Sequence, residues 1–397
     1  MRIKEISDII FYVGVNDRVT EKFESMWPLP YGVTYNAYLV ADEKVALIDT
    51  VEICEVEELL KNIRSVKGEN AKIDYLIVNH MEPDHSGSIP VLAALYPEMK
   101  IVGNKLTVGM VKGYYHIDDD ARYIVVGDGD TLPLGQKTLR FITTPMVHWP
   151  ETMMTYIESD ALLFTGDALG TFGALNGAVV DEEMNTEVYL REAYRYYSNI
   201  VGKYGMFVQR AFKKLEGLKL TTICPTHGPV WRRDIPKIMD IYQRLSKYEC
   251  EDGVVIVYGS MYGNTADCAE KIAEKLADRG VRNIIVHNAT HSEMSDMISD
   301  CFRYKGLIIG APTYQGDLFP PVKTLMSALE AREVKGKAVG LFGSFTWAAG
   351  ALPALRKYAE SMKLDVLAEV QMKQSLNDDT EAQIEALADA IVEGMKG

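Results

Sequence analysis

The spacing of apolar and polar positions changes character near residue 250. Before that point, short apolar or alternating runs predict strands at 9–15, 34–40 and 44–50, with Asp42-Glu43 turning the chain between the last two. Residues 1–14 alternate and carry charge, which predicts a first strand rather than a signal peptide. Helical spacing over 55–65 is followed by an apolar run at 74–78 that reads as a buried strand. Further strands are predicted at 100–103, 122–126, 139–143, 153–157 and 162–165, with a Gly-Asp-Gly-Asp turn at 127–130. Helices are predicted over 187–200 and 204–218, and a last strand over 220–224. Strands in runs with helices between them predict two sheets packed face to face and covered by helices.

From residue 254 the pattern alternates cleanly. Strands are predicted at 254–259, 283–288, 306–310, 338–343 and 364–370, and helices near 264–279, 293–301, 321–332, 350–362 and 380–395. Five such units predict a doubly wound, five-stranded parallel sheet. The expected domains are 1–250 and 251–397.

Composition narrows the function classes. A chain of 397 residues with 47% hydrophobic and 25% charged residues has room for two domains with ordinary cores. With 42 Lys and Arg against 56 Asp and Glu, the net charge of −14 disfavours unspecific binding to nucleic acid or an anionic membrane. No apolar run approaches the roughly 18 residues of a membrane span. The five cysteines are odd in number, widely spaced and without a C-x-x-C pair. That pattern argues against a disulfide framework and against a built-in Cys₄ iron site, and it fits a reducing cytoplasm.

The candidate chemistry begins at Asn79-His80-Met81-Glu82-Pro83-Asp84-His85, where the run at 74–78 ends in four metal-ligand side chains. Two imidazoles and two carboxylates this close would repel and desolvate badly without a cation. The simpler reading is a polar loop capping a helix at Ser86 or Ser88. Three more ligand types then follow apolar strands: His148 in Thr-Pro-Met-Val-His-Trp-Pro-Glu, Asp167 after Leu-Leu-Phe-Thr-Gly, and His227 after Thr-Ile-Cys-Pro-Thr. Each alone reads as a hydrogen-bonded loop residue. Together, His80, Glu82, Asp84, His85, His148, Asp167 and His227 suit two metals with one bridging carboxylate. His116, His287 and His291 fall outside this spacing and are expected at the surface.

In the second domain the strand at 254–259 runs into Ser260, Met261, Tyr262, Gly263, Asn264 and Thr265, where a helix begins. Backbone N–H groups, hydroxyls and a helix N-terminus make an anion cradle, and Gly263 permits close backbone approach. The pattern is neither G-x-x-x-x-G-K-[ST] nor G-x-G-x-x-G, which disfavours nucleoside triphosphates and dinucleotides. Two loops from the same sheet edge add Pro312, Thr313, Tyr314, Gln315 and Gly316, and Ser344, Phe345, Thr346, Trp347 and Ala348. Tyr314 and Trp347 stand where they would flank a flat ring, although aromatics at strand ends also simply close cores.

The order H-x-[HE]-x-D-H followed by His, Asp and His resembles the metallo-β-lactamase fold. Glu82 in place of a histidine, with Val147-His148-Trp149-Pro150-Glu151 and Phe164-Thr165-Gly166-Asp167, resembles the flavodiiron proteins, or A-type flavoproteins. The likeness covers essentially the whole chain, since that family fuses an αββα metallo-β-lactamase-like sandwich to a flavodoxin-like domain. It implies that His80, Glu82 and His148 hold one iron and Asp84, His85 and His227 the other. Asp167 and a solvent-derived oxygen species would bridge them, and no catalytic residue is expected beyond these ligands. The first flavin loop resembles the flavodoxin phosphate loop for FMN. Phe345-Thr346 and Ala348-Ala349 stand where relatives often carry glycine, so ring contacts there are not carried over.

Carboxylate oxygens with imidazoles favour iron over zinc. FMN stores two electrons and a di-ferrous pair two, enough to take dioxygen to water; coupling nitric oxide to nitrous oxide needs two. The expected activity is therefore a dioxygen or nitric oxide reductase. The resemblance implies a head-to-tail homodimer, or a dimer of such dimers, in which each flavin serves its neighbour's irons. With no further domain expected after Gly397, the electrons would come from a separate donor, a rubredoxin first and a reduced deazaflavin second. Trp27, Trp149 and Tyr194 to Tyr197 are candidates for tuning substrate preference. The alternatives are a zinc-dependent hydrolase with a flavodoxin-like accessory module and, behind it, a pure electron carrier.

Overall fold

The computed structural model describes residues 3–396, which form two compact units, one up to Ser246 and one from Lys247. The first unit holds a seven-stranded and a five-stranded sheet. The larger runs in the order Lys4–Ser7, Ile10–Tyr12, Tyr38–Ala41, Val45–Ile48, Tyr75–Ile77, Lys100–Gly103, Tyr123–Val125. Its first four strands are antiparallel, and the last three run parallel to Val45–Ile48. The smaller sheet runs Thr131–Pro133, Thr138–Thr143, Met153–Ile157, Leu162–Gly166, Thr222–Pro225. The sheets meet through apolar inner faces: Tyr38 packs its ring 5.1 Å from Phe164, and its hydroxyl donates to Pro225 O at 2.7 Å. This is the metallo-β-lactamase-like sandwich expected from the sequence.

Two predicted strands are broken, for one shared reason. The run at 9–15 divides into Ile10–Tyr12 and Val15–Asp17, and the run at 34–40 into Val33–Tyr35 and Tyr38–Ala41. At Gly14 the two segments press together so closely that a Cβ would lie 2.5 Å from Tyr35 O. Asn36 turns inward between its strands. It accepts the Tyr12 hydroxyl at 2.8 Å and donates to Pro225 O and Gly228 O at 2.8 and 2.9 Å. These bonds replace ladder pairing and carry the chain to the metal-side edge of the sandwich. Helices Lys105–Tyr115 and Ile235–Ser246 have no counterpart among the predicted elements. The predicted helix at 187–200 ends earlier, as Glu187–Tyr196, and continues into a wide π-helical turn over Tyr197–Val201.

The second unit is a parallel sheet in the order Ile284–Asn288, Glu251–Tyr258, Tyr304–Tyr314, Ala338–Phe345, Val366–Lys373. Its central strands read as unbroken apolar runs because helices cover both faces. Val254, Ile256, Ile308 and Phe342 pack with Ile272 and Leu387 from those helices. A two-residue antiparallel strand, Asp317–Leu318, pairs back onto the long strand Tyr304–Tyr314, an addition to the five predicted. Among the described residues no helix is long and apolar enough to cross a membrane.

Candidate functional site

All seven ligand-type residues of the first unit converge at one edge of the sandwich, past the carboxyl ends of strands Tyr75–Ile77, Thr138–Thr143, Leu162–Gly166 and Thr222–Pro225. Pro83 starts a single helical turn, Pro83–Ser86, which faces Asp84 and His85 inward while Glu82 stays in extended backbone before it. His80, Glu82, His148 and Asp167 bring ligand atoms within 4.8 Å of one another, and so do His85, Asp167 and His227, and His80, Asp84 and His85. Asp167 joins the first two groups. Its Oδ2 lies 2.9 Å from His148 Nε2 and its Oδ1 lies 3.1, 3.6 and 3.7 Å from the Nε2 atoms of His80, His85 and His227. Glu82 Oε2 is 2.8 Å from His148 Nε2, and Asp84 Oδ2 is 3.2 and 3.3 Å from those of His85 and His227.

The fit to cations can be tested on this donor set. His227 Nδ1 donates to Thr34 O at 2.6 Å, which leaves Nε2 with its lone pair turned inward. Yet that Nε2 lies 2.9 Å from His85 Nε2. Both His80 nitrogens and both Asp84 oxygens are buried without a hydrogen-bond partner. A cluster of lone pairs and carboxylates with so few donors fits metal ions and little else.

The metal-free electrostatics agree. Burial, reinforced by the Asp84 charge, pushes Glu82 up to about 7. Burial opposes ionisation of Asp84, but His85 and His227 hold its carboxyl far below the usual range. Burial likewise works against a charged His80, but Asp167 overcomes it and raises His80 to about 10. Without cations, protons shared between imidazoles and carboxylates take their place.

A second tier of residues, none of them among the candidate ligands, sets this geometry. Asp49, in left-handed backbone with φ 55°, accepts from Asn79 N at 2.8 Å and Asn79 Nδ2 at 2.7 Å. Thr155 Oγ1 donates to Asn79 Oδ1 at 2.8 Å. Glu151 Oε1 accepts from Met81 N, and Thr50 Oγ1 donates to His85 O. Thr226 Oγ1 donates to Asp167. Asp49 was findable, since it too is a ligand-type residue just past an apolar strand; Thr34 and Glu151 carry no such mark.

Of the aromatic candidates, Tyr196 reaches the centre. It is the last residue of its helix before the π-helical turn, a form of distortion frequent at functional sites. Its ring lies 5.6 Å from that of His227, and its buried hydroxyl has no hydrogen-bond partner. Burial and the Asp167 charge raise its pKa far above the ordinary tyrosine value, so it keeps its proton. Tyr194 instead receives Arg244, Tyr197 packs on Tyr242, and Trp27 donates to Glu24. His116 and His291 are exposed as expected. His287 is not simply on the surface: it is half-buried, bonded to Asp300 at 2.8 Å and Ser292 at 3.1 Å.

In the second unit the three predicted loops surround a cavity of about 410 Å³ at the carboxyl edge of the sheet. Every residue expected there lines it except Gly263 and Tyr314, and Gln374 joins them. Gly263, with φ +101°, serves instead as the left-handed residue that opens helix Asn264–Asp278. Thr265 and Ser344 share a hydrogen bond of 2.8 Å, and Thr313 Oγ1 accepts from Gly350 N and Ala351 N. Among the described residues no lysine or arginine lines the cavity. A phosphate there would be held by hydroxyls, N–H groups and the helix dipole. Trp347 and Tyr262 are each 91% exposed at its rim, which leaves one face of the cavity open rather than closed by a ring sandwich.

Comparison with known proteins agrees with this architecture. A family model described as ODP family beta lactamase matches residues 33–228, and the flavodoxin model matches 256–387. The chain is 32% identical over 368 residues to a nitric oxide reductase of Moorella thermoacetica, covering 92% of this chain and 91% of that protein. Its structure is similar to that of rubredoxin oxygen:oxidoreductase from the anaerobe Desulfovibrio gigas, with a TM-score of 0.94, 29% identity and coverage of 100% and 99%. The flavodiiron protein from Giardia intestinalis is similar too, with a TM-score of 0.94, 25% identity and coverage of 100% and 97%.

Proposed function

Because the chain belongs to the flavodiiron protein family, oxidoreductases with FMN and a diiron centre, we propose that it reduces dioxygen, nitric oxide or both, with electrons passed through FMN from a separate donor of the rubredoxin kind. Glu82 carries this reading: a carboxylate completes the His80, His148 and Asp167 set. Oxygen donors there favour iron and redox chemistry over a zinc-bound hydroxide. The zinc hydrolase and the pure electron carrier have no comparable support.

In this reading His80, Glu82 and His148 would hold one iron, Asp84, His85 and His227 the other, and Asp167 would serve both. Metals held there would supply Lewis-acid and redox chemistry toward a diatomic gas, and FMN would supply stored electrons. The protein's own part is to hold its carboxylates ionised, orient each imidazole and exclude water. Thr34 fixes the tautomer of His227, and Asp49 with Asn79 fixes the loop that carries His80. Tyr196 keeps its proton and offers its buried O–H to the pocket as a hydrogen-bond donor. Tyr196→Phe, which removes that donor, is expected to lower kcat for the gas by about 100-fold with iron and FMN content unchanged. An unchanged kcat, measured by stopped flow on the reduced protein, would assign Tyr196 to packing alone.

The exposed Trp347 and Tyr262 at the flavin cavity suit a surface covered by a second copy, in keeping with a head-to-tail homodimer. Five free thiols suit a reducing cytoplasm. The deciding experiment reduces the FMN- and iron-loaded chain anaerobically and follows each gas with an electrode. Consumption of at least one gas is expected, from a species sedimenting at twice the chain mass. If neither gas is consumed, the proposed activity is wrong.

A further inference from the structure

Lys337, partly buried, stands just before strand Ala338–Phe345 at the amino-terminal edge of the second unit's sheet. Nζ lies 2.8 Å from Phe302 O, 2.7 Å from Tyr304 O and 2.9 Å from Cys250 Sγ. The two carbonyls account for two of its donors. The third position is occupied by sulfur at direct contact. Cys250 is partly exposed, whereas Cys268 and Cys301 are fully buried and Cys54 is exposed. Neither FMN nor the metal centre uses this pair, because the flavin loops lie at the opposite edge of the sheet. Cys250 precedes strand Glu251–Tyr258, and strand Tyr304–Tyr314 lies between that strand and the one after Lys337.

A lysine can cap carbonyls for structural reasons alone, and a nearby sulfur can simply fill space. Here, however, a nucleophilic nitrogen touches an oxidisable, solvent-reachable sulfur. We propose that Cys250 and Lys337 form a peroxide-responsive modification site that closes into a covalent sulfur–nitrogen link. Hydrogen peroxide transfers one oxygen to Cys250 Sγ, giving a sulfenic acid and one water; the thiol loses two electrons and the peroxide gains them. Lys337 Nζ, after losing one proton to solvent, attacks that sulfur with its lone pair. The S–O bond breaks, and the departing hydroxide takes a second proton from nitrogen and leaves as water. The condensation itself changes no oxidation state, and the product is a sulfenamide, as when a sulfenic acid condenses with a backbone nitrogen. Burial lowers the affinity of Lys337 for its proton, which favours the attacking form. Two equivalents of a small thiol restore both side chains and leave as their disulfide. The link would tie the starts of two strands across a third and leave the flavin loops untouched.

The test exposes the oxidised, FMN- and iron-loaded full chain to a small excess of hydrogen peroxide, then caps free thiols, digests it and analyses the peptides by mass spectrometry. The expected product joins the peptides of Cys250 and Lys337 with a loss of about two mass units. It should block tryptic cleavage after Lys337, disappear on treatment with dithiothreitol and leave FMN content unchanged. Cys250→Ser is expected to abolish the link, and Lys337→Gln to leave Cys250 oxidising onward to sulfinic acid. Should Lys337→Gln not fold, the wild-type and Cys250→Ser digests decide alone. Cys250 recovered as free thiol, as sulfinic acid beside unmodified Lys337, or as a disulfide with Cys301 overturns the proposal.

Discussion

Asp167→Asn is expected to strip iron from the first unit and cut gas consumption by at least about 100-fold while FMN stays bound. Among the described residues Asp167 is the one carboxylate within 3.7 Å of all four inward-facing imidazoles. It is buried, and its oxygens serve both halves of the cluster. The amide keeps the size of the side chain but removes a negative charge. It also turns an N–H₂ group toward lone pairs that need an electron-pair acceptor. Changes to residues that merely orient ligands cost about 10–100-fold, and a bridging group should exceed them. Metal analysis and gas electrodes on the purified variant check this. A variant that kept two irons per chain and a rate within about tenfold of the parent would remove Asp167 from the bridging position.

Removal of the metals should destabilise the first unit by about 4 kcal/mol, the linkage expected for a ligand present at about 1,000 times its Kd. For a unit of this size that corresponds to a melting temperature lower by about 10 °C. The physical cause is the donor set itself: His85 and His227 hold Nε2 atoms 2.9 Å apart, with the Glu82 and Asp167 side chains and both Asp84 oxygens buried among them. Protons compensate in part. The metal-free His80 is raised to about 10, with burial opposing and Asp167 prevailing, so its protonated form contributes stability below the ordinary histidine range. That contribution is lost as pH rises through 10, so the gap between loaded and metal-free chains should widen from neutral toward alkaline pH. Thermal melts followed by tryptophan fluorescence, with and without a chelator, measure it. Trp27, Trp149 and Trp231 report on the first unit, and FMN absorbance follows the second. Identical melts would mean that the cluster holds no metal of consequence to the fold.

Much of this was legible from residue order. Each ligand follows an apolar run that the structure shows as a strand, at Tyr75–Ile77, Leu162–Gly166 and Thr222–Pro225, because buried strands must be apolar and site residues gather where strands end. The second unit was clearer still, since alternation of strand and helix leaves few topologies. Helix Ile235–Ser246 buries Ile238, Ile241, Tyr242 and Leu245, a spacing open to reading. Helix Lys105–Tyr115 was harder, because Gly109 and Gly113 lower its propensity; Asn104 caps it and Thr107 and Val111 anchor it. The breaks at Gly14 and Asn36 were not readable at all, since they depend on a close approach between distant segments.

By itself the sequence determined the chemistry: which ligand types occur, that Glu82 replaces an imidazole, and that three loops at one sheet edge can take FMN. Those are properties of residue identity and strand-end position. Only the tertiary structure decided how the ligands meet. His80 and His227 come from different sheets, and their convergence requires both sheets to stack through contacts such as Tyr38 on Phe164. It also decided that Thr34 aims His227, that Asp49 holds the His80 loop, and that Tyr196 rather than its neighbours faces the centre. Hydrogen-bond partners and side-chain directions are set by packing between remote segments, and no local pattern encodes them.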